Sequence, residues 1–131
     1  MNLIVEESLR AWLRDLPEFD GLAIHLGQSN DEIPGDQPAI VCACERVEPV
    51  TLALSKAFPT LLLSTPSMLD IEQHRALVDH LRVAVYDPAD LAAAFPSDFH
   101  LAGAILTDFS ESQTDNRWLC TATLTLGIAA I

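Results

Sequence analysis

At 131 residues and 14.3 kDa the chain has the length of one domain, and with 50% hydrophobic residues it can bury a core without disulfides or a structural metal. Nineteen acidic residues against seven basic ones leave a formal charge of −12, a field that disfavours ordinary DNA or RNA binding. No apolar run approaches the roughly 20 residues that cross a bilayer, and Glu6 and Glu7 stand where a secretion signal needs basic residues. A cytoplasmic protein with no membrane partner is expected.

Residues 2–16 carry Val5, Leu9, Trp12, Leu13 and Leu16 at helical spacing, with Glu6 four residues before Arg10 for a surface pair; Pro17 ends this helix. Leu22, Ile24 and Leu26 alternate with Ala23 and His25, which predicts a strand. From Gly27 to Pro38 the acids Asp31, Glu32 and Asp36 fall among Asn, Pro and Gly, which predicts an exposed, mobile loop. Ala39 to Ala43 read as a short apolar strand. The segment from Glu45 to Pro59 is ambiguous, a strand or one arm of a hairpin around Val50-Thr51, Leu52 and Leu54. Thr60 to Thr65 form a compact strand that Pro66 stops.

The clearest helix comes next. Asp70 stands as its N-cap with Gln73 three residues on, and Ile71, Leu77, Val78, Leu81 and Val85 form the predicted buried stripe, leaving Glu72, Arg75, Asp79 and Arg82 outside. Asp87-Pro88 is expected to open a short second helix, Asp87 capping it and Leu91, Ala92 and Phe95 turning inward. A strand from Phe99 to Phe109 then leads through a long acidic loop, Ser110 to Asn116, into a final strand. In that last strand Thr121, Thr123 and Thr125 share one side, and Trp118, Cys120, Ala122, Leu124 and Leu126 the other. The order predicts a single α+β domain over 1–131: a mostly antiparallel sheet of four to five strands, carrying one long N-terminal helix and one long plus one short helix.

Catalytic patterns are absent from this sequence. There is no glycine-rich phosphate loop, no Gly-x-Ser-x-Gly elbow and no His-Glu-x-x-His helix. His74 and His80, six apart, fall on different helix faces and cannot share a metal, while His25 and His100 belong to separate strands. The lone lysine, Lys56, has only Glu48 near it in sequence, so a metal-dependent nuclease site finds no acid–lysine grouping. Cys42 and Cys44 face the same side of one strand, where a disulfide is poorly placed; buried reduced thiols are expected, with no zinc. No enzyme, cofactor or metal is expected. Arg117 beside Trp118 either forms an exposed recognition pair or ends a hairpin with Trp118 entering the core, the latter being favoured.

Ser64-Thr65-Pro66, the helical run Glu72-Gln73-His74-Arg75-Ala76-Leu77-Val78, the short second helix, and the Asp115-Asn116-Arg117-Trp118 turn with its Thr-Leu alternation resemble small tail-completion proteins of long-tailed phages, the tail terminators and head–tail joining proteins. The resemblance covers the C-terminal half and, more loosely, the first helix. It implies a non-catalytic subunit forming a homo-oligomeric ring, commonly a hexamer, that meets other tail or neck proteins, ends in the virion, and lets DNA pass without specific binding. On that reading Asp31, Glu32, Asp36, Glu111, Asp115 and Arg117 are the candidate lumen or interface residues. An acidic inhibitor module that neutralises a basic protein partner is the competing expectation.

Overall fold

The computed structural model describes residues 1–27 and 36–131; the loop acids Asp31 and Glu32 lie outside the described residues. Helix α1 spans Asn2–Arg14 and is followed by a 3-10 turn at Pro17–Phe19, because Pro17 cannot continue the ladder. The strands are β1 (Ala23–Leu26), β2 (Ala39–Ala43), β3 (Val47–Pro49), β4 (Leu54–Ala57), β5 (Thr60–Pro66), β6 (Phe99–Gln113) and β7 (Arg117–Ala130). Helix α2 spans Ile71–Tyr86, and a 3-10 turn at Ala89–Ala94 precedes β6.

The fold is α+β, as the pattern indicates, but the sheet has seven strands and not four to five. The extra strands come from the ambiguous segment, where β3 and β4 form an antiparallel hairpin pairing Glu48 with Lys56. Strand β7 organises the sheet: β6 runs along its whole length on one side, while β5 and then β4 share the other. β5 continues to β2, and β2 pairs with β1 in parallel. The connection from Ser110 to Asn116 is shorter than expected, since β6 continues to Gln113 and leaves only Thr114–Asn116 as the turn. Pairing with a long partner strand overrides the polar composition of 110–113.

The alternation in β7 holds from Cys120 onward, while Trp118, expected in the core, is only half-buried. Cys120, Ala122, Leu124, Leu126 and Ile128 are buried against α1 and α2, whereas Thr121, Thr123 and Thr125 are half-buried on the face away from the helical layer. Leu61 and Leu63 of β5, with Ile40 and Cys42 of β2, continue the same inner face. From the helices, Val5, Leu9, Trp12 and Leu13 of α1 and Val78, Leu81 and Val85 of α2 close the core. This two-layer packing needs apolar residues on one sheet face only.

Several local expectations are corrected. Asp70 does cap α2, its carboxylate accepting the Glu72 N–H at 3.1 Å. Ile71, however, is 40% exposed and Leu77 only half-buried; His74 occupies the stripe in their place. The short helix is a 3-10 turn whose N-cap is Pro88, with Asp87 closing α2 instead of capping that turn. Leu91 and Phe95 turn inward but Ala92 is exposed: with three residues per turn the position that shares the face of Leu91 is the half-buried Ala94, and Phe95 lies just past the turn in extended backbone. Finally, Glu6 does not sit on the surface. It is buried, and its Oε2 accepts the Cys44 N–H at 2.8 Å, tying α1 to the chain just past β2.

Candidate functional site

The start of β7, the ends of β5 and β6 and the approach to β2 meet at one end of the sheet, where most of the predicted interface residues gather. Thr114 Oγ1 accepts the Arg117 N–H at 3.1 Å, and the Thr114 N–H reaches the Arg117 carbonyl at 2.8 Å, which closes the turn tightly. Asp115, in that turn, is exposed. Glu111 is exposed on β6, opposite Cys120 of β7. Asp36 is exposed just before β2.

Arg117 is not an open recognition group. Its Nε donates to Ser64 Oγ, and its terminal nitrogen donates to the Gln37 carbonyl at 2.9 Å and the Ser64 carbonyl at 3.2 Å. One guanidinium thereby joins β7, β5 and the chain entering β2, a use of its fixed fork of donors. The structure brings Arg117 and Gln37 together, whereas no pattern in the sequence links positions 80 apart.

Beside this anchor lies a shallow groove between the first turns of α2 and the β6–β7 tip, lined in part by Ile71, Arg75, Gln113 and Trp118. Trp118 enters it half-buried, its ring 5.4 Å from that of His74. His74 Nδ1 sits 3.0 Å from Thr65 Oγ1. Burial holds the His74 imidazole below its ordinary value of 6.5, with the Glu111 carboxylate pulling it back up. A histidine held neutral in the folded state favours folding above its unfolded pKa, and that contribution is lost as pH falls through the lower folded value. His74→Asn should therefore flatten the acid limb of stability. The measurement is unfolding free energy by urea from about pH 7 to about pH 5; parallel curves for the two proteins would refute it.

The remaining titratable groups form no reactive cluster among the described residues. His25 on β1 and His100 on β6 sit on separate strands with β2, β5 and β7 between them. His80 is exposed, edge-on to Phe19 at 6.4 Å. No group of His, Cys, Asp or Glu is arranged to hold a metal, among the described residues. The three cysteines are free and buried. Burial, with Glu6 nearby, pushes the Cys42 thiol up to about 12, and burial with Glu111 nearby takes Cys120 to about 11. Such thiols are poor nucleophiles. No helix among the described residues is long and apolar enough to cross a membrane.

A second concavity lies in the helical layer. Trp12 and Leu16 at the end of α1, with Val83 and Ala84 of α2, form its apolar floor, and Glu18, Asp87 and Asp90 form its rim. It continues past Asp15 along the 3-10 turn before β6. Sequence reasoning missed it, because its residues come from separate elements; the one available signal was acidity clustered around the ends of both helices.

No protein-family model matches the chain, and no curated protein does. A solved structure aligns with it at a TM-score of 0.49 and 11% identity, covering 98% of this chain and 92% of the other, a likeness too weak to carry any argument.

Proposed function

We propose that the chain is a non-catalytic structural subunit that assembles into a ring and completes the tail of a long-tailed phage or prophage at its junction with the neck. The observation that carries this reading is the outer edge of β6. Thirteen of its fifteen residues pair with β7 on one side, and no described strand pairs with the other. An open edge of this length is a template for a further strand. Register shifts at Leu101/Gly103 and Leu106/Asp108 bend the first part, so the regular stretch lies at Asp108–Gln113, which contains the exposed Glu111 and leads to the exposed Asp115.

The acidity suits the same reading. A lumen lined by Asp36, Glu111 and Asp115 would gain no counterion release from passing DNA, so the DNA would slide without sticking. The resemblance to tail-completion proteins supplies the ring and its neighbours in the tail and neck.

A second reading is an inhibitor module for a basic protein, favoured by the acidic rim of Glu18, Asp87 and Asp90 around an apolar floor. Sedimentation velocity over a concentration series, with negative-stain microscopy of the concentrated protein, separates the two. Closed annular oligomers are expected. A chain that stays monomeric at the highest concentration and binds a basic protein stoichiometrically would overturn the ring.

A further inference from the structure

The outer face of the sheet, opposite both helices, carries two glycines paired across the strands: Gly103 of β6 lies directly against Gly127 of β7. Neither glycine is demanded by the subunit itself. Among the described glycines only Gly21 has a left-handed φ, so the backbone at both positions accepts a side chain, even at the register shift beside Gly103. A Cβ added at Gly103 meets nothing within 4 Å, and one at Gly127 meets its nearest atom at 3.7 Å, an ordinary contact. Glycine inside a strand weakens it, and its remaining use is to let another surface approach the bare backbone.

Ile105 stands one row further along the same face of β6, paired with Thr125 and 66% exposed. A knob and a bare patch therefore lie side by side, which makes this surface complementary to itself. Val41, Leu54, Leu62 and Leu119 share the face half-buried, with the threonines of β7 among them. The strand positions on this face carry Glu48 and Asp108 against Lys56 and Arg117. The face is thus neutral in a chain of −12, so it is where two like-charged copies meet with least repulsion. Strand rise and spacing give the overlap an extent of roughly 35 Å by 20 Å, on the order of 700 Å² per copy. A stable interface of standard size buries about 800 Å² per partner.

We propose that two copies of this chain pack outer face to outer face, about a two-fold axis that crosses β6 and β7 between the Gly103 and Ile105 rows. The axis lays Ile105 of each copy over the Gly103–Gly127 pair of the other. It also sets Asp108 of each copy over His100 of the other, and Thr123 over Ala129, so no acid faces an acid. The contact is isologous, and every substitution enters it twice. It uses the face of the sheet, whereas the ring reading uses the edge of β6, so the two stand or fall separately.

The test uses the full chain in sedimentation equilibrium. Gly103→Val fills the bare patch with a side chain for which the subunit has room, and should weaken two-fold association by about a hundredfold. Ile105→Asp removes the knob at an exposed position and should do the same. Far-UV circular dichroism of both variants should match the parent. At dilutions where both are monomeric, Gly103→Val should melt no earlier than the parent, since a β-branched residue suits a strand. A parent that associates while both variants associate equally well overturns this contact and leaves the ring standing. A parent that is monomeric at every concentration overturns both.

Discussion

Leu124→Ala is expected to lower the unfolding free energy by about 3 kcal/mol, within the span found for buried leucines that leave a cavity. Leu124 is fully buried in the middle of β7, opposite Leu106 of β6, and its N–H is held by the Pro59 carbonyl at 3.0 Å. Neighbouring strands fix the backbone on both sides, so the void cannot collapse easily. For a domain of this size the loss corresponds to a fall in Tm on the order of 10 °C. Thr123→Ala, one residue away on the outer face, supplies the control, since Thr123 is half-buried and faces away from the helices. Its cost should stay below about 1 kcal/mol. Urea unfolding of both variants checks the pair; equal losses would mean that the two faces of β7 are not packed differently.

Glu6→Ala is the second large effect. The Glu6 carboxylate is buried and accepts the Cys44 N–H at 2.8 Å, a bond made 38 residues away in sequence. Removing it leaves a buried donor without this acceptor and a gap between α1 and the end of β2. A hydrogen bond to a charged group contributes about 1.5–3 kcal/mol, and an orphaned donor adds its desolvation cost, so a loss of about 3 kcal/mol is expected. Glu6→Gln keeps an acceptor oxygen at nearly the same place and should recover at least half of that loss. Amide hydrogen exchange at Cys44 provides the local readout: strong protection in the parent and in Glu6→Gln, and fast exchange in Glu6→Ala. Exchange at Cys44 that is the same in all three proteins would show that the carboxylate does not anchor this join.

These two positions also show where sequence patterns inform and where they stop. The burial of Leu124 follows from period-2 alternation, which needs no knowledge of the rest of the chain. Glu6 sits one residue after Val5 on the helix, and its spacing to Arg10 points to a surface pair; only the placement of Cys44 beside α1 explains its burial. His74 is similar. It occupies a stripe position at the correct spacing with Val78, Leu81 and Val85, yet its residue type argues for the surface until Thr65 and Trp118 are brought to it. Arg117 is legible as the end of a hairpin but not as the clamp on Ser64 and Gln37.

By itself the sequence determined the α+β class, α1, the capped α2, the strands β1, β2 and β5 and the two faces of β7. Each of these is written in local periodicity, in proline and in one aspartate cap, all acting within a few residues. Tertiary structure alone decided that β3 and β4 exist, that β6 extends to Gln113, that β1 runs parallel to β2, and that Leu52 is left in water while a groove opens across the helices. Those outcomes depend on which edges and faces remain available once β7 has taken its partners, and that is a property of chain closure over long separations.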